Sequence, residues 1–301
     1  MTRLFSFRFD VDTHRCVREG MPALSRLGRR LDAPFTFFVN MGRAVSRPAT
    51  LSALLGGGRS SATEASGAEP VKVAAKHPAR RKLGTVGWLQ AAILNPRVGA
   101  GSPAVLRGAL ADGHEVGLHG GRNHAVWQTE AAGWSPARAA AEIDAVLPDL
   151  ERILGSTPAG FASPGWVTPP GLEAILAARG FRYLADEHGA PPAGSSRGAR
   201  DGADALPGEP VSGAPLPSVR TALTGEPGGV AYLEHLDAAG LSHREALARF
   251  ASDLDAAGDV AVVYDHPYWA GVRALRLVEE MVGIAREAGF DVVPVATVAA
   301  R

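Results

Sequence analysis

Short apolar segments that stop abruptly at Asp, Asn, Ser or His recur along this chain and alternate with segments of helical periodicity. The fullest is Gly113-His114-Glu115-Val116-Gly117-Leu118-His119-Gly120-Gly121-Arg122-Asn123-His124, a strand running into a polar turn. A strand holds its last side chain rigidly, so polar residues at several strand ends can converge on one point. Six such ends occur: Asp10/Asp12, Asn40, His119, Ser163, Asp186 and His266. Alternation of strand and helix predicts a parallel sheet, closed as a barrel or left open. Polar strand ends suit a (β/α) barrel with its active site at the C-terminal ends of the strands.

The elements follow in order. Phe5, Phe7 and Phe9 share one face of a first strand ending in Asp10-Val11-Asp12. A helix over 22–31 leads to the strand 34–39, stopped by Asn40. Residues 43–105 then break the rhythm as an insertion, a lid or a membrane-facing surface, since a connection needs far fewer residues. Helices are expected over 103–112, 135–154, 170–179, 241–257 and 272–288. Strands are expected over 114–118, 158–162, 181–185, 260–264 and 290–295. Residues 187–228 form a second long loop, rich in Gly and Pro, with a short strand near Leu216. The whole chain, 1–301, reads as one catalytic domain.

Composition narrows the classes. Lys plus Arg and Asp plus Glu number 31 each, so net charge gives no reason to expect nucleic acid as a partner. Cys16 stands alone, which excludes an intrachain disulfide and suits a reducing compartment. No apolar run is long enough to span a bilayer, and the first residues already alternate like a strand rather than a leader. The expected location is the cytoplasm.

Residues i and i+2 of a strand share a face, so Asp10 and Asp12 can converge if Asp12 lies just past the strand end. One can hold a metal while the other serves as a base. An isolated Asp-x-Asp also serves simply to begin a turn or cap a helix. His119 and His124, separated by a turn, can join Asp12 as two nitrogens and one oxygen, leaving open positions. His266 follows a buried strand, and Asp186 could orient it as a general acid.

With these residues in view, the chain resembles the polysaccharide deacetylase superfamily (NodB homology, carbohydrate esterase family four). Arg8-Phe9-Asp10-Val11-Asp12-Thr13…Arg18-Glu19-Gly20, Asn40-Met41-Gly42-Arg43 and His114-Glu115-Val116-Gly117-Leu118-His119…His124-Ala125-Val126-Trp127-Gln128 are similar to its undecaprenyl-phosphate 4-deoxy-4-formamido-L-arabinose deformylases. The resemblance implies a distorted (β/α) barrel that removes an N-acyl group, formyl or acetyl, from an aminosugar with a divalent metal. Zinc is the leading candidate, with nickel, cobalt or manganese as alternatives. It further implies Asp10 as general base, Asp12 and His119 as metal ligands, His266 as general acid and Asp186 as its helper. Ser163, Gly165 and Trp166 would line the sugar site, with Arg8, Arg18 and Asn40 as further substrate contacts.

Two positions depart from that pattern. The superfamily's second metal histidine falls four residues after the first, where this chain has Asn123, with His124 one later. The arginine of the third motif is replaced by Ala162, so Arg8, Arg15 or Arg18 would have to supply its charge. A hydrolase of the same fold acting on a soluble polysaccharide, a nucleotide sugar or an allantoin-like amide, with or without a metal, and a non-catalytic sugar-binding barrel therefore remain as alternatives. The basic run Lys72, Lys76, His77, Arg80, Arg81, Lys82 is read either as a solvated loop or as a surface for a phosphate or anionic lipid. On the second reading, Arg80 and Arg81 meet a lipid-carried substrate at the inner face of the membrane, beside apolar Trp88, Leu89, Ile93 and Leu94. Trp127, Trp166, Tyr268 and Trp269 are candidates to stack on a sugar ring.

Overall fold

The computed structural model describes residues 2–45, 95–189, 216–226 and 228–301. Its first strand, β1 (Arg3–Val11), has one outward and one inward row. Phe5, Phe7, Phe9 and Val11 are fully buried in the larger core, beneath the helical layer. The other row, Leu4, Ser6, Arg8 and Asp10, climbs the barrel interior, as the period of two requires. Leu4 packs at the floor with Phe38, Ala162, Tyr183, Ala185, Val219, Val262 and Val295.

Around β1 the strands β2 (Thr36–Val39), β3 (Glu115–His119), β4 (Gly160–Ala162), β5 (Tyr183–His188), β6 (Ser218–Thr221), β7 (Val260–Asp265) and β8 (Phe290–Val292) complete one parallel sheet. Their order is β6-β5-β4-β3-β2-β1-β7, with β8 also pairing β1. β8 pairs Arg3–Phe5 while β2 pairs Arg8–Val11, so two short strands are set against the length of β1. The ring closes on the far side through Leu223, which bridges Val263 and accepts a hydrogen bond from Tyr264 N at 3.2 Å. This is the expected distorted barrel.

Several element boundaries differ from expectation for local reasons. The helix expected over 135–154 is two, Pro136–Asp144 and Leu147–Leu154, broken where Val146 leaves helical geometry before Pro148. Pro148 has no amide to bond the carbonyl of Asp144, so it cannot continue the first helix but is tolerated in the first turn of the second. Pro294 likewise ends the last strand early and starts the helix Val295–Ala299. That helix seals the floor, where Val295 N donates to Thr36 Oγ1 at 2.8 Å and Ala296 N to Glu115 Oε2 at 3.0 Å. The strand expected over 181–185 runs instead from Tyr183 to His188, so Asp186 lies within it rather than capping it. The short helices His124–Glu130 and Tyr232–Ala238 are additional elements, and both carry site residues.

Lys72, Lys76, His77, Arg80, Arg81, Lys82, Trp88, Leu89, Ile93 and Leu94 lie outside the described residues, as does most of the 187–228 loop. Among the described residues no helix is long and apolar enough to cross a membrane.

Candidate metal centre and active site

Asp12 lies just beyond β1, in the turn where its side chain faces the mouth of the barrel. Its backbone is fixed by Asn40, whose Nδ2 donates to Asp12 O at 3.1 Å while its Oδ1 accepts from Gly42 N at 2.9 Å. Asn40 is completely buried with both polar ends engaged, so it shapes the loop that carries Asp12. Three imidazoles surround the Asp12 carboxylate. Its Oδ1 lies 3.3 Å from His119 Nε2 and 3.1 Å from His124 Nε2, and its Oδ2 lies 3.2 Å from His266 Nε2.

Asp12, His119 and His124 form a buried cluster of potential ligand atoms all within 4.8 Å of one another. Two observations show that these residues fit a divalent cation. Asp12 Oδ1 is buried with no hydrogen-bond partner among the described residues, despite lying beside two ring nitrogens. His119 Nδ1 is 2.9 Å from Ala162 O, a carbonyl that can only accept, so the proton sits on Nδ1 and Nε2 presents its lone pair. Burial opposes ionisation of Asp12, but His124, His266 and His119 outweigh it and hold the carboxyl well below its usual range. Burial also works against a charged His119; Asp10 and Asp12 reverse that and raise it.

The choice between Asn123 and His124 resolves through helix capping. Asn123 is the N-cap of His124–Glu130, its Oδ1 accepting from Val126 N at 3.2 Å and its Nδ2 donating to Val45 O at 3.0 Å. With Asn123 committed to the cap, the first helical residue, His124, turns to Asp12.

On one side of the metal cluster stands Asp10, gripped by Arg8 through Nε–Oδ1 at 3.0 Å and Nη2–Oδ2 at 2.9 Å. Arg8 is fully buried, donates also to Ala185 O and Thr221 Oγ1, and lies 4.2 Å from the Trp166 ring centre. Burial would lower its affinity for the proton; Asp10 overcomes this and raises it. Arg8 is therefore buried and engaged with Asp10 rather than open to the mouth of the barrel. Arg18 is exposed in the wide helical turn Cys16–Gly20.

On the other side His266 Nδ1 meets Glu234 Oε1 at 2.7 Å. The expectation that Asp186 orients His266 is wrong. Asp186 instead accepts from Ser163 N at 2.7 Å and Thr168 Oγ1 at 2.6 Å, fastening the loop after β4. Glu234 reaches His266 because Asp265, at the end of β7, binds both elements. Its Oδ2 accepts from Leu233 N at 2.6 Å and its Oδ1 from His266 N at 2.8 Å. Tyr268 OH adds a bond to Glu234 Oε2 at 2.6 Å, and Tyr264 OH lies 3.1 Å from His266 Nε2. Burial, then the neighbouring Glu234, pushes Asp265 up to about 7. The sequence signal for Glu234 is slight: a carboxylate flanked by Tyr232, Leu233 and Leu236, all buried.

Trp166 is half-buried at the mouth, its Nε1 donating to Gly229 O at 2.9 Å, and neighbouring Gly165 is exposed. Ser163 is buried. Of the other aromatics expected near a sugar, Trp127, Tyr268 and Trp269 are buried in the core.

No family model matches the chain. Over 190 residues it is 30% identical to a Shewanella sediminis (strain HAW-EB3) protein assigned as the 4-deoxy-4-formamido-L-arabinose-phosphoundecaprenol deformylase ArnD. The alignment covers 60% of this chain and 56% of that protein, so the chain spans little more than half the length of this curated relative. A Mycobacterium smegmatis structure assigned as a polysaccharide deacetylase matches with a TM-score of 0.60 at 15% identity, covering 99% of this chain and 89% of the other. One from Pseudomonas aeruginosa PAO1, with the same assignment, matches at 0.57 and 14%, covering 98% and 89%. The chitin deacetylase of Colletotrichum lindemuthianum matches at 0.52 and 15%, covering 99% and 87%. In fold, this protein is similar to these solved structures assigned as polysaccharide deacetylases.

Proposed function

We propose that the protein is a metal-dependent hydrolase that removes an N-acyl group, formyl or acetyl, from an aminosugar. The observation that carries this reading is the Asp12 carboxylate, ringed by three imidazoles and flanked by a held base and a held acid. Asp12, His119 and His124 would hold the ion, zinc first among the candidates. When bound, such an ion polarises an amide carbonyl and makes water easier to deprotonate. Asp10 takes the proton of the attacking water, and its bidentate pairing with Arg8 keeps one orientation through the step. His266 delivers a proton to the departing nitrogen, its ring fixed by Glu234 at Nδ1. Trp166 and exposed Gly165 offer the adjoining surface to the sugar.

The finer substrate reading follows the relative's printed substrate: a sugar carried on a polyprenyl phosphate, reached by a protein resting peripherally on the cytoplasmic face of the membrane. Lys76, Arg80, Arg81 and Lys82 would meet the anionic surface there.

Release of free amine from N-formyl and N-acetyl aminosugars by the metal-loaded protein tests the reaction. Turnover is expected with zinc, lost on chelation and restored by readdition. Unchanged turnover after complete chelation would favour the metal-independent, allantoinase-like alternative. Stoichiometric metal without turnover of any amide would favour a binding barrel.

A further inference from the structure

Outside the catalytic centre, the helices Pro103–Ala111 and Leu147–Leu154 flank a groove of about 570 Å³. Its lining includes Arg97, Arg107, Arg152 and Asp149. Three guanidiniums face a single carboxylate, a strong local positive charge on a chain of zero net charge. Asp149 is shared between two of them: Arg97 Nη1 reaches its Oδ2 at 2.5 Å, and Arg152 Nη2 contacts its Oδ1. Arg107 is exposed and makes no ion pair among the described residues. Arg97 Nη2 is buried and has no hydrogen-bond partner there either.

The groove also receives the start of the helix Pro103–Ala111. That helix has no side-chain cap and no acidic residue in its first turn. Pro103 carries no amide hydrogen and Val105 N already bonds Ser102 O, so what the helix adds to the guanidiniums is its partial positive charge. A carboxylate ligand would repeat what Asp149 already provides. A group with three or four oxygens can bridge the exposed Arg107 fork and the neighbouring Arg97 and Arg152 guanidiniums together.

Residues of the groove bond the loops that follow β1 and β2. Arg97 Nε donates to Met41 O at 3.2 Å, one residue past Asn40. Pro96, also in the lining, has its carbonyl 3.4 Å from Nε2 of His14, two residues after Asp12.

We propose that this groove binds a phosphate group and so positions a phosphorylated ligand beside the hydrolytic centre. In linking the phosphate to the substrate the inference rests on the proposed aminosugar hydrolysis; as an anion site it stands alone. The phosphate comes either from the substrate itself or from a lipid headgroup.

Titration of inorganic phosphate into the full-length protein at low ionic strength, followed by ³¹P NMR, tests the site. Wild type is expected to show saturable binding, and the double variant Arg107→Gln, Arg152→Gln at least tenfold weaker binding with the same melting temperature. Arg97 is left intact because it anchors Met41. Equal binding by both proteins, or none by wild type at millimolar phosphate, overturns the proposal. A second measurement compares kcat/KM for an N-acyl aminosugar 1-phosphate with that for the neutral sugar. A tenfold fall of this ratio in the variant assigns the phosphate to the substrate. An unchanged ratio with loss of binding to phosphatidylglycerol vesicles assigns it to a headgroup. Variant-sensitive phosphate binding without turnover of either sugar would sustain the groove and overturn the hydrolase reading.

Discussion

Arg8 and Asp10 stand two residues apart on one strand and meet through two parallel hydrogen bonds inside the barrel, at 3.0 and 2.9 Å. The geometry depends on the strand period: both side chains point inward, and the guanidinium fork spans the pleat to both carboxylate oxygens. It converts a flexible carboxylate beside the metal ligands into one with a fixed orientation.

Arg8→Lys is therefore expected to lower kcat by about 10²-fold, within the range that a positioned base contributes. Lysine retains the charge but offers a point donor in place of the fork. Metal content should stay at one equivalent, because Arg8 touches none of Asp12, His119 or His124. Parallel elemental analysis and steady-state kinetics check this; loss of metal together with activity would contradict the assigned role.

Asn123 and His124 are adjacent yet have separable roles. Asn123→Ala removes a helix cap, which should cost about 1 kcal/mol of stability while leaving metal bound. His124→Ala removes a ligand and should weaken metal affinity by well over tenfold with little change in the apo protein's melting temperature. Thermal denaturation and competition with a chromogenic chelator separate the two effects. A metal-free Asn123→Ala protein would place the ligand at the wrong residue.

Glu234→Gln should reduce kcat by about 10²-fold, since the carboxylate fixes the orientation of His266. Asp186→Ala instead releases Ser163 and Thr168, so it should raise KM more than it lowers kcat. Undiminished kcat in a folded Glu234→Gln protein would overturn the assignment.

This contrast shows how far the sequence could be read. Asp10, Asp12 and His119 were legible because strand period and strand ends are local properties. The barrel followed from the same alternation. Glu234 was hidden because its position depends on Asp265 capping a helix 32 residues away in sequence. Asp186 was misassigned for the complementary reason: a polar residue near a strand end was taken to point at the centre, whereas β5 continues to His188 and its carboxylate turns to the neighbouring loop. The role of Arg8 was foreshadowed only as a missing charge, since nothing local distinguishes a buried, fully paired arginine from one awaiting substrate.

Asp265 also links the site to pH-dependent stability. Burial and Glu234 push its carboxyl up to about 7 in the folded chain, against about 3.9 for an unfolded aspartate. A raised value means the folded state holds the proton more tightly. Its stabilising contribution is complete below the unfolded value, declines as pH rises, and is gone once pH passes about 7. The melting temperature of wild type should therefore fall more steeply between about pH 4 and pH 7 than that of Asp265→Asn, which cannot titrate. Parallel slopes in differential scanning fluorimetry would show that Asp265 ionises normally.

The last prediction concerns Gly20, within the Arg18-Glu19-Gly20 stretch that resembles the deformylases. It ends the wide helical turn Cys16–Gly20, which follows Asp12, and packs directly against the segment after His266. A Cβ there would lie 1.9 Å from Pro267 O, and one on the facing Gly271 would lie 2.3 Å from Gly20 O. The contact therefore sets the separation between the loop carrying Asp12 and the one carrying His266. Gly20→Ala must push these apart, at a cost of about 1–3 kcal/mol for overpacking, or somewhat more where backbone has to move. Because His266 is not among the proposed ligands, metal should remain bound while kcat falls. Gly283→Ala provides the control: that helical position has nothing within 4 Å of the added carbon, and the substitution should be neutral or stabilising by about 0.5–1 kcal/mol. Full activity in a stably folded Gly20→Ala protein would show that the two loops are not held in register by this contact.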